Sequence, residues 1–303
     1  MRKSSLLVLI LAFAVAGCGA LVKVAYNNSD TVLQLMADDY FDIDPTQEEL
    51  LQAGLQRFHA WHRREELPRY AVLFDEAGTR IHRGTQRADV QWAIESVRTR
   101  YRSLVNQAVD NTMPALATLN AENLVALEQK FAEKNEEFRR EFLRGSAEDR
   151  ERAQVKAYNK RLSNWIGDLA PEQERLTLEF VRTHPLAAQR KLEERKKRQQ
   201  DLLTILRQPG NPAELKTRLY DYFNYFERNR PREYAEAAKH FESDFVDYIV
   251  AIDRSFDAAQ RERVVQRFTR YAQDFRSLAA EKRPKDAGTV AVHTDQASSG
   301  SVK

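Results

Sequence analysis

Between residues 85 and 112 the apolar positions Val90, Ile94, Val97, Tyr101, Leu104 and Ala108 recur at intervals of three and four. That spacing puts them on one face of a helix turning about 100° per residue. The same period returns at Phe241, Phe245, Tyr248, Ile249 and Ile252, and at Val264, Phe268, Tyr271, Phe275 and Leu278. Read this way, the chain predicts helices near 29–40, 45–66, 69–77, 85–112, 121–144, 147–166, 171–183, 186–207, 212–228, 232–254 and 257–281. Glycine is scarce, with ten in 303 residues, and Gly78, Gly84, Gly145, Gly167 and Gly210 stand where a helical pattern stops. Prolines 45, 68, 114, 171, 185, 212 and 231 fall near starts or breaks, the usual punctuation of helices. There is no sustained period-two run and no Asn-Gly or Asp-Gly turn. The predicted fold class is all-α, with short links that make antiparallel multi-helix bundles, long charged helices and no β-sheet.

The first twenty residues follow a different pattern. Arg2 and Lys3 precede an apolar run from Leu6 to Val15, which ends in Ala16-Gly17-Cys18. The run is too short to span a bilayer comfortably and ends in small residues, so 1–17 reads as a signal peptide. Val15-Ala16-Gly17-Cys18 resembles the lipobox of bacterial lipoproteins, which implies cleavage before Cys18 and acylation of its thiol and amino group. Cys18 is the chain's one cysteine, so no disulfide competes for it. Several acyl chains, at roughly 0.8 kcal/mol per buried methylene, hold a protein on a membrane effectively for good. By the same resemblance Gly19 after the cysteine favours the outer membrane, facing the periplasm. Residues 18–28 are then a lipidated linker and 29–283 a helical domain, in which two sub-bundles could meet near 112–120. Residues 284–303 lose both periodicity and large side chains and read as a disordered tail.

Charge removes some classes of partner. Without residues 1–17 the chain has 46 basic residues against 45 acidic, and so nearly neutral a protein has no electrostatic case for nucleic acid. The 186–207 segment, with its Arg-Lys-Leu-Glu-Glu-Arg-Lys-Lys-Arg run, reads first as a solvated face and second as a docking stripe for an acidic partner or lipid head groups.

Four predicted helices open alike, at Asp44-Pro-Thr-Gln47, Asn120-Ala-Glu-Asn123, Ala170-Pro-Glu-Gln173 and Asp257-Ala-Ala-Gln260, each preceded by an apolar residue. A capping side chain that accepts from the third-residue amide, with an amide side chain reaching back, satisfies two open donors. The pattern also resembles the Leu-Thr-x-x-Gln repeats of helical periplasmic chaperones, which bind unfolding proteins on a concave surface. Here Asp, Asn or Ala stands where those repeats carry Thr.

The densest chemistry lies in Phe58-His-Ala-Trp-His-Arg-Arg-Glu-Glu-Leu-Pro-Arg-Tyr70. On a regular helical wheel His62 and Glu65 share the apolar face with Leu51, Leu55 and Phe58, while Arg63 and Arg64 point to water. Pro68 disfavours helical geometry at Leu67, so the helix should end at Glu66. Two carboxylates at a helix C-terminus need partners, for which His62 and Arg98 or Arg102 of a facing helix are the candidates. The segment predicts a structural or partner-binding network of Trp61, His62, Arg63, Glu65, Glu66, Pro68 and Tyr70. His59, His62 and Glu66 could instead offer metal ligands, but neither H-E-x-x-H nor E-x-x-H is present.

Tyr26-Asn27, Gln47, Trp61-His62-Arg63 and Glu66-Leu67-Pro68-x-Tyr70 together resemble an uncharacterised family of Gram-negative lipoproteins. That family is defined by a domain of unknown function spanning essentially the mature chain. The resemblance implies an all-helical fold and a cell-envelope address, and no activity. With no phosphate loop, no G-x-S-x-G and no second cysteine, no catalytic set, metal site or cofactor is expected. The leading reading is a membrane-anchored scaffold or binding module for envelope proteins. A holdase-like chaperone is the alternative, and a metal-binding protein or envelope enzyme the next.

Overall fold

Helices follow one another through the whole of the computed structural model, which describes residues 19–281, Pro209 excepted; residues 1–18, Cys18 included, and the 284–303 tail lie outside them. The helices are α1 (Gly19–Asn27), α2 (Ser29–Phe41), α3 (Pro45–Trp61), α4 (Leu67–His82), α5 (Arg87–Leu116) and α6 (Ala121–Phe142). They continue as α7 (Ala147–Ile166), α8 (Pro171–Thr183), α9 (Ala187–Arg207), α10 (Pro212–Tyr225), α11 (Arg232–Arg254) and α12 (Ala258–Ala280). A π turn, His62–Glu66, joins α3 to α4, and a 3₁₀ turn, Phe226–Asn229, follows α10. No strand occurs among the described residues, and the all-α expectation holds.

α5 is the axis of the bundle. Its first turns carry Val90 and Ile94 against Val246, Ile249 and Val250 of α11. Its last turns carry Val109 and Met113 against Leu219 of α10 and Leu202 and Ile205 of α9. On a third side it meets α3 so closely that a Cβ on Gly54 would stand 2.5 Å from the Asn111 carbonyl oxygen. α4 and α12 run antiparallel along their lengths, Phe74 meeting Phe268, Tyr271 and Phe275 with ring centroids 5.2–5.7 Å apart. α7, α8 and α11 close a separate aromatic cluster around Phe180 and Tyr248, stacked at 4.7 Å.

The four alike helix starts come together in pairs. Gln47 Nε2 donates to Asn123 Oδ1 at 2.8 Å and to the Thr118 carbonyl at 2.9 Å, while Asn123 Nδ2 donates to the Phe41 and Asp42 carbonyls. Gln173 Nε2 donates to Gln260 Oε1 at 2.7 Å and to the Ser255 carbonyl at 3.3 Å, while Gln260 Nε2 donates to the Asp168 carbonyl at 2.9 Å. In both clasps each amide reaches the carbonyl two residues before its partner's cap. All four amides are buried, and each oxygen also accepts from its own cap's backbone N–H. The predicted capping is therefore present, and it does more than cap: it ties the α2–α3 turn to the α5–α6 turn, and the α7–α8 turn to the α11–α12 turn.

Three sequence expectations change. The 45–66 and 69–77 helices are one continuous column from Pro45 to His82, because the π turn absorbs Pro68. The Leu67 N–H bonds the His62 carbonyl five residues back, and Leu67 keeps helical torsions of φ −58°, ψ −42°. Widening a helix by one residue frees the carbonyl that the proline ring would strike. Residues 19–27 of the stretch read as a linker form a helix, α1, which packs on α12. Lys23 Nζ donates to Glu281 Oε1 and Ser277 Oγ, both at 2.7 Å. Finally, α5 runs past residue 112 to Leu116, so the 112–120 stretch is its last turn and the clasped turn into α6.

Candidate functional site

The π turn sets the geometry of the segment richest in chemistry. One extra residue in the turn shifts the phase of everything after Trp61, and the regular wheel fails there. Arg63, expected in water, is buried. It donates through Nη1 to the Leu278 carbonyl at 2.7 Å and through Nη2 to Asn27 Oδ1, with its guanidinium carbon 5.0 Å from the Tyr26 ring centre. Glu65, expected on the apolar face, is 37% exposed and pairs with Arg64 and Arg69. Arg64 points outward as expected, and Pro68 is exposed.

Tyr26 is the hub of the inward side. Its hydroxyl shares a 2.9 Å hydrogen bond with His62 Nδ1, and its carbonyl accepts from His59 Nε2 at 3.2 Å. The imidazoles of His59 and His62 lie 4.7 and 5.7 Å from its ring centre. Tyr70 meets His62 at 5.5 Å and Phe275 at 5.7 Å, and Trp61 packs at the margin, 5.7 Å from Phe58. Burial, with the neighbouring His59 and Arg63 charges, holds the His62 imidazolium down to about 3, so His62 is neutral at ordinary pH. Burial also pushes the Tyr26 phenol up, Arg63 opposing, and pushes the Tyr70 phenol up with help from Glu66.

Glu66 is fully buried and is held from other directions than expected. Ser103 Oγ donates at 2.9 Å, Arg69 Nη1 at 3.1 Å and Arg100 Nη1 at 3.2 Å. Arg98 pairs instead with Glu242 and Glu95, and Arg102 with Glu95. His62 gives its bond to Tyr26, so the expected His62–Glu66 partnership is replaced by two adjacent circuits. Arg100 and Ser103 went unread because they are ordinary residues at an i,i+3 spacing on α5. The periodic pattern gives no signal for them, since both lie off the face that carries Val97, Tyr101 and Leu104.

What the arrangement can do chemically follows from these bonds. Arg63 and Glu66 are spent on internal partners, and His62 faces a phenol that burial keeps protonated. Among the described residues no group of three or more His, Cys, Asp or Glu is placed to hold a metal ion. An apolar cavity of about 200 Å³ lies between α5, α9 and α10, lined by residues such as Val109, Leu202, Leu219 and Phe223, and brings no acid, base or nucleophile to a common point. Trp61–Tyr70 acts as the knot that binds α1, α3, α4, α5 and α12.

The chain belongs to a family of unknown function (DUF6279), whose match covers residues 39–235. The match takes in Gln47, the whole Trp61–Tyr70 segment and the first clasp, and leaves out Tyr26-Asn27 and α12, so it is narrower than the span the resemblance implied. No curated protein and no solved structure matches the chain.

Proposed function

Since this family carries no assigned activity, we propose from the geometry that the chain is a lipid-anchored periplasmic module that binds or scaffolds envelope proteins. The anchor is Cys18, and the membrane the outer one, facing the periplasm. The observation that carries the reading is the docking of α1, which is described from Gly19, the residue after Cys18, and is fastened to the body by Lys23 and Tyr26. An acyl anchor on such a helix would hold the whole bundle at a set angle to the membrane, which suits presentation of a surface more than capture of a diffusing substrate. Buried polar groups serve packing in both clasps and in the π-turn knot, which supports association over turnover.

In-cell crosslinking with partner identification tests this. Discrete envelope proteins captured by the wild type and lost in Cys18→Ser, which should remain unprocessed or soluble, are the expected result. Normal processing and membrane binding of Cys18→Ser would sink the anchor. Suppression of aggregation of an unfolding client without discrete partners would favour a holdase, and reproducible substrate turnover would favour an enzyme.

A further inference from the structure

The apolar cavity between α5, α9 and α10 is long and narrow, and a charged group stands at one end of it. Its wall on α5 runs from Val105 to Leu116, a rise of about 16 Å at about 1.5 Å per residue. Over that length its volume is about 200 Å³, which suits a single alkyl chain better than a fused ring. Thr112 is the one polar residue in the wall, and its hydroxyl is spent on the Ala108 carbonyl at 2.7 Å. A water inside would find no side-chain partner.

Side-chain bonds between the helices identify the charged end. Asn224 Nδ2 of α10 donates to Asn106 Oδ1 of α5 at 2.7 Å, and the Tyr220 hydroxyl donates to Asp110. These two helices therefore run antiparallel, and Phe223 stands at the Val105 end. The Tyr222 hydroxyl donates to the Arg198 carbonyl of α9 at 2.9 Å, which brings Leu202 to the same end. One helical turn beyond Val105, Leu202 and Phe223 come Tyr101, Arg198 and Phe226.

Arg198 lies with its guanidinium carbon 4.0 Å from the centre of the Phe226 ring, and its Nε is buried with no hydrogen-bond partner among the described residues. The acids within one turn of it on α9 are engaged elsewhere, Glu194 with Arg230 at 2.5 Å and Tyr234 at 2.6 Å, and Asp201 with Lys197 at 2.9 Å. Burial pushes the neighbouring Tyr101 and Tyr222 phenols up, with Arg198 opposing, so both keep the proton.

We infer that the cavity holds the alkyl chain of a medium-chain fatty acid, whose carboxylate pairs with the Arg198 guanidinium. A guanidinium fork matches a carboxylate in charge and shape, and an apolar cleft with a few placed polar groups is the usual form of a ligand site. A void of about 150 Å³ takes the six carbons of benzene, so by proportion the cavity takes roughly eight. Arg198 is half-exposed, which leaves the carboxylate within reach of water. Such an amphiphile is separate from the Cys18 anchor and from any envelope partner.

The test uses the chain without residues 1–17 and carrying Cys18→Ser, so that no acyl group of its own competes. Octanoate, octanol and butyrate are titrated calorimetrically into this parent, into Arg198→Gln and into Ala108→Leu. One octanoate per chain should bind and raise the Tm, and butyrate, which lacks the tail, should not bind. Octanol, which lacks the charge, should bind roughly tenfold more weakly than octanoate, as for loss of one charged hydrogen bond. Arg198→Gln should weaken octanoate by a similar factor and leave octanol unchanged. Ala108→Leu, which fills the cavity from its α5 wall, should abolish binding of both. Absence of octanoate binding, equal affinities of the parent for octanoate and octanol, octanoate affinity unchanged in Arg198→Gln, or octanoate binding that survives Ala108→Leu would overturn the site. The comparisons within the parent need no variant and stay decisive if one fails to fold.

Discussion

The two amide clasps and the π-turn knot each put polar groups inside a helical bundle, and they do it by opposite means. The clasps are neutral, reciprocal and built twice on one plan, with every donor answered within a few residues of a helix start. The knot is charged, single and asymmetric, and collects partners from α1, α3, α4, α5 and α12. An amide can be buried at little cost once hydrogen-bonded, whereas a carboxylate loses hydration that only several charged donors offset. Removing one partner should therefore hurt the knot more than a clasp.

The largest effect is expected at Glu66. It is fully buried, while Arg100 and Arg69 are 25% and 48% exposed and can turn to water. Glu66→Ala should cost about 3 to 4 kcal/mol in urea unfolding, toward the middle of the range for a broken buried pair. Glu66→Gln, which keeps an acceptor for Ser103, should cost less. Equal loss in both variants would mean that shape rather than charge is what this position supplies. Coupling in the knot should appear between Tyr26→Phe and His62→Gln, which share a bond, more than between His62 and Glu66.

In the second clasp Gln173→Ala takes a partner from Gln260 Oε1, which keeps the Asp257 N–H, and from the Ser255 carbonyl and the Ala170 N–H. A loss of about 2 to 3 kcal/mol is expected, and with Gln260→Ala a double-mutant cycle should show coupling of about 1 kcal/mol. Strict additivity would mean the two amides are neighbours without being a unit.

pH separates the two designs. The folded pKa of His62 lies near 3, below the unfolded value of about 6.5. Above pH 6.5 neither state binds the proton and the contribution to stability is constant. As pH falls from about 6.5 toward 3 the unfolded chain takes up a proton that the folded one refuses, so stability drops by about 1.4 kcal/mol per pH unit. At pH 5 this amounts to about 2 kcal/mol. His62→Gln should flatten that part of the stability profile, and Gln173→Ala should leave its slope unchanged. A wild-type profile flat between pH 6.5 and 4 would show that folded His62 accepts a proton.

The contrast also explains how much could be read from sequence. Caps are local chemistry, so the starts at Asp44, Asn120 and Asp257 and the spans 147–166, 171–183 and 232–254 follow from neighbouring residues and are found where expected. That the amides would meet in pairs is tertiary, and nothing within five residues of Gln173 points to Gln260. The knot was legible as a place but not as a geometry. A wheel of constant period cannot represent a π turn, so Arg63 and Glu65 exchanged faces and the partners of Glu66 moved from Arg98 and Arg102 to Arg100 and Ser103. The half-buried tyrosine of α1 lay in what composition presented as a linker.

The smallest expected effect is a gain, and it asks whether capping and clasping are separable. Three of the clasped starts have a capping side chain, whereas α8 opens on Ala170, which has no acceptor to offer. Ala170 is exposed and its backbone is already extended at φ −74°, ψ 154°, the conformation a cap adopts. Asparagine there would copy Asn120 without adding charge beside Glu172 and Glu174. Ala170→Asn should therefore stabilise the protein by about 0.5 to 1 kcal/mol, read as a higher urea midpoint at constant m. The gain should persist in the Gln173→Ala background if the cap acts locally. If it vanishes there, the new side chain works only through the clasp; if Ala170→Asn destabilises the intact protein, the clasp needs the smaller residue at that turn.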